Sequence, residues 1–287
     1  MHEAYGCAVR PTLVVVPGSW LTGEGRVRRK GTVLQPQVRH VAAPVLLGLV
    51  ILGAWLLLSR GLPSYVLPTP GAVVVKLWAG ITTRTLLAPL GATLLEAAAG
   101  CLAGAALAIP LAILLHRSRW ADSATRPFLG ATQAIPAIAL APLLVLWVGY
   151  GLVPIALLCA LIVFFPILVA AASGLRHVDH EVVDAARIDG ASSAQSLVHI
   201  ELPLALPWIY SGLRNGFTLS VTGAVVGEMV MGGTGLGTVL VVQRDQLDTA
   251  GMVATIVLLA AVASAAYLVL VALERRSATV SSLIHES

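Results

Sequence analysis

The sequence has few charged residues, and this scarcity sets the class of the protein. Of its 287 residues only 11% are charged and 5% are aromatic, whereas 57% are hydrophobic. The mean hydropathy is +0.90. Soluble globular domains carry about 25% charged residues. The composition therefore excludes an ordinary soluble domain and indicates an integral membrane protein.

Cysteine and lysine are also scarce. Cys7, Cys101 and Cys159 are scattered, without the CxxC or Cys/His spacing of a metal site. Neither of the two lysines follows a GxxxxGK[ST] phosphate loop, and the glycines of 232–237 lack the GxGxxG spacing of dinucleotide binding. These absences predict a chain that holds no cofactor and no metal, so that any ATP is bound by another chain.

Long apolar runs fill most of the chain. They exceed the roughly 10-residue alternating segments of an outer-membrane barrel, so helices must do the spanning. A bilayer core of about 30 Å needs about 20 apolar helical residues. The runs predict an all-α membrane protein with about six transmembrane helices, at Val41–Leu58, Leu86–Leu115, Phe128–Val148, Leu152–Leu175, Phe217–Met231 and Ala250–Leu273.

The basic residues follow membrane topology. With six spans, fourteen of the eighteen Lys and Arg residues fall on one side of the membrane. Only Arg60, Lys76, Arg84 and Arg244 fall on the other side. Cytoplasmic loops carry the excess of positive charge, so both termini are predicted to be cytoplasmic. Because the basic residues are not gathered in one patch, nucleic acid binding is not expected.

The segment "DAARIDGASSAQSLVHIELP", Asp184 to Pro203, is polar and well punctuated. A helix is predicted from about Val178 to Asp189, and Gly190 supplies the backbone freedom of a helix C-terminus. Ser192 and Gln195 form a capping-box pattern for a second short helix through about His199. Pro203 and Pro207 are expected to end that helix. On these grounds alone, a projecting elbow and a solvated connecting loop remain open.

This segment resembles the cytoplasmic signature of permease subunits of binding-protein-dependent ABC importers. That signature reads EAA, three residues, Gly, nine residues, then Ile-x-Leu-Pro. The chain has Asp184-Ala185-Ala186, Gly190 and, nine residues later, Ile200-Glu201-Leu202-Pro203. Only the leading acid departs, Asp in place of Glu. The resemblance identifies the ATPase-coupling residues as Asp184, Ala185, Ala186, Gly190, Ile200, Leu202 and Pro203.

Other segments resemble the nitrate/sulfonate/taurine-type subfamily of these permeases, from about residue 67 to 276. They include "GATLLEAAAG", "IPAIALAPLLVLWVGYG", "GLRNGF" and "VVGEMVMGGTGLG", in the usual order. Where these permeases commonly carry a basic residue in the second span, this chain has Glu96. The resemblance implies a small polar solute of the sulfonate, nitrate or taurine class.

The resemblance further implies a permease fold like that of type I ABC importers. It implies a pore of two permease subunits, a cytoplasmic ABC ATPase dimer that uses ATP, and an extracytoplasmic solute-binding protein. This chain would perform no chemistry on the solute. The expected divisions are a cytoplasmic mobile tail (1–40), a first span (41–58), an outer-face linker (59–85), a permease core (86–276) with a coupling elbow (178–203), and a cytoplasmic tail (277–287).

Two acids within apolar spans are candidates for the solute pathway or its gate. An acid in a span is costly and normally faces a bundle interior or a water cavity, so Glu228 and Glu96 need polar surroundings. Glu228 should find a partner in the 232–237 amides, a span hydroxyl such as Thr222, water, or a second subunit. Neutral polar side chains on spans three and five can line a pathway or join helices: Thr132, Gln133, Thr218, Ser220 and Thr222.

Alternatives from other classes remain. Glu96 and Glu228 could be the proton carriers of a secondary transporter driven by an ion gradient, or the chain could be a membrane enzyme. His177 and His180 are one helical turn apart with His199 nearby, but such spacing is typical of a solvated helix face. Asp184 and Asp189 lack the nucleophile and base partners of a hydrolase. The elbow pattern favours the importer permease.

Overall fold

The computed structural model describes residues 36–118, 120 and 136–276, without the side chains of 36–44 and 275–276. The expected terminal tails fall wholly or largely outside this range, as do Thr132 and Gln133. The chain divides into two compact units, residues 1–50 and 51–287. In the first unit, only residues 36–50 are described.

The described elements are helical. The helices are α1 (Pro36–Gly61), α2 (Pro70–Thr82), α3 (Leu87–Arg117), α4 (Ala141–Val148), α5 (Leu152–Arg176), α6 (His180–Ile188), α7 (Ser193–Ser196), α8 (Leu202–Met231), α9 (Leu236–Asp245) and α10 (Thr249–Arg276). A 3-10 turn, Ala137–Leu140, leads into α4, and a π-helical turn, Leu197–Glu201, joins α7 to α8. Thr69 caps α2 through its side chain, and a proline occupies the first turn, as is favoured at helix starts.

Three described helices are long and apolar enough to cross a membrane, namely α3, α5 and α10. A fourth crossing exists if the segment 193–231 and α9, which are bent by 50° at a short break, form one span. The helices Val45–Gly61 and Ala137–Val148 are apolar but shorter. The predicted run 41–58 includes residues 41–44, whose side chains are not described, and the predicted run 128–148 includes residues 128–135, which lie outside the described residues. The chain is therefore an all-helical membrane protein.

Helix α5 packs between α3 and α8, and glycines of α3 and α8 lie at the points of closest approach. A Cβ on Gly100 of α3 would collide with the Cβ of Cys159, and one on Gly104 would lie 2.5 Å from Val163 Cγ2. On α8, a Cβ at Gly212 would lie 2.7 Å from that of Ala170. Small residues let helix backbones approach closely in membranes, where burial of apolar surface does not drive helix association. These glycines therefore set the spacing of the bundle.

The second helix of the predicted elbow does not end at Pro203. Instead, α7 continues through the π-helical turn into α8, with Pro203 in the first turn of α8 and Pro207 inside it. In a regular α-helix the proline ring would clash with the carbonyl four residues earlier. The π turn changes the register, since the amide of Leu202 donates to the carbonyl of Leu197, five residues back. Pro203 is therefore accommodated in a helix that continues from α7, and Pro207 lies about one turn further inside α8.

A polar link joins α2 to the start of α10. Lys76 Nζ lies 2.8 Å from Asp248 Oδ2, and the amide of Gly251 donates to Asp248 Oδ1 at 3.0 Å. Burial tends to raise the pKa of Asp248, but the hydrogen bonds from Lys76 and Gly251 and the lysine charge outweigh it. The pKa of Asp248 is therefore lowered. The ionised Asp248 thus caps α10 and holds α2 through Lys76.

Candidate functional site

The first helix of the elbow, α6, starts and ends with the local signals of its sequence. The amide of Glu181 donates to Asp179 Oδ1 at 2.9 Å, so Asp179 is the N-cap. At the other end Gly190 has φ +93°, a conformation that favours glycine. Its amide donates to the Arg187 carbonyl, and that of Ala191 to the Ala186 carbonyl, which is the Schellman pattern.

The turn into α7 has both halves of the capping box. The amide of Gln195 donates to Ser192 Oγ at 3.3 Å, and that of Ser192 donates to Gln195 Oε1 at 2.8 Å. Two orphan amides are thereby satisfied without help from the rest of the protein. The elbow is a defined two-helix turn and not an irregular loop.

The outward face of α6 is apolar and exposed. Val183 alone on this helix is buried, whereas Val182 is 46% and Ile188 86% exposed. Ala185 is exposed beside them, and Asp184 forms a loose pair with Arg187 at 3.6 Å. Val182, Ala185 and Ile188 thus form a small exposed apolar patch on one face of α6, and exposed apolar patches are a feature of surfaces that bind a partner.

The inner side of the elbow is fastened to α3. Glu201 is 7% exposed, and its Oε2 lies 2.6 Å from His116 Nε2 near the end of α3. Arg117 donates from one terminal nitrogen to the Ser193 carbonyl at 3.2 Å. Sequence reasoning missed His116 and Arg117, because neither belongs to a local motif. Of the signature residues, Ile200, Leu202 and Pro203 are half-buried.

A polar cavity of about 370 Å³ separates α6 from the end of α3. His116 and Glu201 line this cavity, and Asp184 and Arg187 line it on the side of the elbow. His180 also faces it. The elbow is thus joined to α3 by these polar contacts and by Leu197, which is buried in the same apolar core as Leu115, and the cavity lies beside them.

Glu228 lies at the other end of the molecule's helical bundle and is 1% exposed. Thr93 donates from Oγ1 to Glu228 Oε1 at 2.6 Å, and the amide of Gly237 donates to Glu228 Oε2. The amide of Leu236 donates to Thr93 Oγ1 at 2.8 Å. The carboxylate therefore holds the turn between α8 and α9 against α3. The Gly237 partner lies in the glycine cluster that sequence reasoning proposed, whereas Thr93 was not foreseen.

The glycines of this turn are required by close approach. A Cβ on Gly235 would collide with Glu228 Oε1 and Thr93 Oγ1, and one on Gly237 would collide with the carbonyl of Val225. The cluster that resembles a nucleotide-binding turn is thus a cradle for a buried carboxylate.

Glu96 lies beside Glu228, close enough for the two carboxyl groups to interact, and is 4% exposed. Its Oε2 has no hydrogen-bond partner among the described residues. At the next residue of α3, the carbonyl of Ala97 accepts a hydrogen bond from Ser220 Oγ at 2.6 Å. Ser220 therefore joins helices.

Thr218 and Thr222 lie on an exposed stripe of α8. Each donates to the carbonyl four residues earlier, to Arg214 at 3.2 Å and to Thr218 at 3.3 Å. Their hydroxyl groups are thus partly satisfied while facing outward. Thr222 also lines an apolar groove of about 480 Å³ between the 3-10 turn Ala137–Leu140, α5 and α8.

The histidines that sequence reasoning weighed as metal ligands do not converge. His177 stacks on Trp208, with ring centroids 4.6 Å apart, and His199 Nδ1 lies 3.1 Å from the Gln195 carbonyl. Within the described ranges, no three His, Cys, Asp or Glu side chains are placed to hold a metal ion.

The comparison with known families decides the class. Residues 100–279 match the family described as binding-protein-dependent transport system inner membrane component. The chain belongs to this family. It is therefore a permease subunit of an ABC importer in the inner membrane, and it is a transport protein and not an enzyme. The two other possible functions, a secondary transporter driven by an ion gradient and a membrane enzyme, are therefore wrong.

Curated relatives place the permease more closely. It is 38% identical to the riboflavin transport system permease protein RibX of Chloroflexus aurantiacus, over 75% of this chain and 80% of the relative. It is 32% identical to the aliphatic sulfonates transport permease protein SsuC of Bacillus subtilis, over 76% and 80%. The predicted resemblance to the sulfonate/taurine-type permeases is confirmed.

A solved structure supports the fold. The permease matches a chain of the inward-facing MetNI methionine ABC transporter with a TM-score of 0.56 at 19% identity, over 67% of this chain and 95% of that one. This likeness concerns the fold alone. Membership of the family implies a partner ATPase that hydrolyses ATP and a solute-binding protein.

Proposed function

We propose that the permease docks its ATPase on the elbow, residues 178–203. The main support is the exposed face of α6, where Ile188 is 86% exposed on a helix whose ends are both capped. The signature residues Asp184, Ala185 and Ala186 lie on this helix, and Gly190 sets its end. A rigid, projecting and partly apolar helix suits insertion into a groove of a partner protein.

The topology follows from the charge distribution. About six spans place both termini in the cytoplasm, with residues 59–85 as an outer-face linker and 86–276 as the permease core, as in type I importers. Arg117, Arg176 and Arg187 then lie together with the elbow on the cytoplasmic side, which agrees with the positive-inside rule. The Glu228 cradle lies at the outer side.

The solute pathway is proposed to lie along α8, between this subunit and a second, identical copy. Asn215, Thr218 and Thr222 recur at intervals of three and four residues and are all exposed. Polar side chains on one stripe of a span face water or a protein in preference to lipid. Glu228 and Glu96 are buried behind this stripe. They are proposed to set the outer gate by holding the 232–237 turn, without touching the solute.

The proposed solute is an uncharged, nitrogen-containing aromatic heterocycle. No Lys or Arg occurs in residues 86–115, 127–175 or 215–243, and Arg214, next to Asn215 on α8, is paired with Glu274 at 2.8 Å. These spans therefore offer no unpaired cation to an anionic solute. Threonine hydroxyls beside an apolar groove suit a planar ring with polar edges. The RibX relative is named for riboflavin. The alternative solute is an aliphatic sulfonate, for which the SsuC relative is named.

Crosslinking tests the docking surface. In a Cys7→Ser background, Ile188→Cys is labelled with a photoactivatable maleimide in membranes that contain the ATPase. The remaining native thiols, Cys101 and Cys159, are buried. The expected result is a crosslinked permease–ATPase species. The matched control is Val74→Cys on α2, which is 64% exposed but predicted to lie outside. Equal crosslinking at both positions, or none at 188, contradicts the proposal.

Uptake by the complete importer in proteoliposomes tests the solute class. Labelled riboflavin and a labelled aliphatic sulfonate are offered separately with the cognate binding protein. Accumulation of the heterocycle alone supports the proposal, whereas accumulation of the sulfonate alone transfers the assignment to the alternative.

A further inference from the structure

The elbow is joined to α3 by a short and shielded polar contact. His116 Nε2 and Glu201 Oε2 are 2.6 Å apart, and the two side chains are only 21% and 10% exposed. Exposed ion pairs are worth little because water screens them and because their long side chains must be held in place. The contact between His116 and Glu201 is partly buried, so water competes with it less than with an exposed contact, and an imidazole has few rotatable bonds to hold in place.

The position of Glu201 makes this contact unusual. It is the last residue of the π-helical turn that joins α7 to α8, so it belongs both to the elbow and to the start of a long helix. Single-turn π segments are frequent at functional sites. The second polar contact between α3 and this region, from Arg117 to the Ser193 carbonyl, lies at the surface and involves no side chain of the elbow.

Helix α3 is fastened at its opposite end as well. There Thr93 accepts a hydrogen bond from the Leu236 amide and donates to Glu228, which tie α3 to the turn between α8 and α9. At 1.5 Å per residue, the helix carries these two fastenings about 35 Å apart. Between them, α3 meets α5 through small residues such as Gly100 and Gly104.

We propose that His116 is a positioning residue for transport: its contact with Glu201 makes the elbow and α3 move as one body. This inference rests on the proposed docking of the ATPase at the elbow. A displacement of the elbow by the ATPase then reaches α3 directly, and α3 passes it to the outer turn through Thr93. Without the contact, the exposed Arg117 contact and the packing of Leu197 remain, and the cavity beside α6 gives the polar side of the elbow room to move while α3 stays in place.

The test uses the complete importer in proteoliposomes, with permease, ATPase and binding protein, purified through a tag on the permease. In His116→Ala, the amount of ATPase that co-purifies and its basal ATP hydrolysis stay unchanged. Solute taken up per ATP falls about fivefold or more, the lower end of a typical coupling between two sites. In His116→Gln, whose amide can still donate to Glu201, uptake per ATP recovers.

The control is His199→Ala, since His199 is an exposed histidine of the same elbow that contacts only the Gln195 carbonyl within the described chain. It retains normal uptake per ATP. Normal uptake per ATP in His116→Ala contradicts the proposal, as does a loss that only follows the yield of assembled complex. If His116→Ala assembles poorly, His116→Phe keeps the ring volume and must show the same loss per assembled complex. Loss of ATPase co-purification from Ile188→Asp, with His116→Ala still assembled, separates docking from coupling.

Discussion

Thr93 and Glu228 are 135 positions apart in the sequence and share a buried hydrogen bond of 2.6 Å. The same hydroxyl accepts the Leu236 amide, and the same carboxylate accepts the Gly237 amide. Two side chains thus satisfy two consecutive backbone amides of a glycine-rich turn. The turn has little side chain of its own to pack, so these four groups determine where it lies.

Thr93→Val is expected to destabilise the permease. It leaves the Leu236 amide and one Glu228 oxygen unpaired in the interior, which costs about 1–3 kcal/mol for a buried donor. Thr93→Ser keeps the hydroxyl and is the matched control. Thermal unfolding in detergent should show a lower Tm for the valine variant only. Equal Tm values for both variants would mean that the turn does not depend on this hydroxyl.

Glu228→Leu is expected to insert and assemble but to lose ATP hydrolysis stimulated by loaded binding protein. The leucine leaves the Gly237 amide without an acceptor, so the turn shifts. Glu228→Gln can accept from Gly237 and donate to Thr93, whose own proton can turn to the Pro89 carbonyl 3.2 Å away. It should therefore keep stimulation. Full stimulation and uptake in the leucine variant would show that Glu228 has no part in the gate.

Gly190→Ala is expected to weaken the elbow. At φ +93° an alanine is strained, at a cost of about 1 kcal/mol or more. The fraying of α6 should reduce ATPase co-purification and uptake without affecting membrane insertion. Gly71→Ala in α2 serves as the control, because a Cβ there meets no atom within 4 Å. Undiminished co-purification in the Gly190 variant would contradict a role of this turn in docking.

The Lys76–Asp248 link should make stability depend on pH. Because the pKa of Asp248 is lowered in the folded chain, its contribution is fully present above the ordinary Asp pKa of about 3.9. It is lost as the pH falls through the lowered value. Tm of the native chain should exceed that of Asp248→Asn at pH 7, and the gap should close as the pH falls through the lowered pKa of Asp248. If the Tm difference between the native chain and Asp248→Asn instead widened on acidification, the pKa of Asp248 would be raised and not lowered in the folded chain.

The local parts of the site could be predicted from the sequence. Gly190 at the end of α6 and the Ser192–Gln195 capping box depend on neighbours within a few positions, so their patterns are visible in one short segment. The resemblance of that segment to the family signature was specific for the same reason. Local sequence did not predict the role of Pro203. It was expected to end a helix, but a π-helical turn before it lets the helix continue.

The long-range parts could not be predicted. His116 and Glu201 are 85 positions apart, and neither residue type nor spacing marks them as partners. The same holds for Thr93, an ordinary span hydroxyl until the turn after α8 folds back onto it. Glu228 and Glu96 were recognised because an acid within an apolar run is costly wherever it lies. Their neighbours depend on how the helices pack.

Uptake by the complete importer in proteoliposomes, compared between the native chain and Ala185→Trp, tests the central claim most directly. Ala185 lies on the exposed face of α6, where an indole can stay in solvent without disturbing the fold but prevents close docking. Normal insertion, loss of ATPase co-purification and loss of ATP-driven uptake are expected for the tryptophan variant. Normal co-purification together with normal uptake would contradict the docking of the ATPase at this elbow.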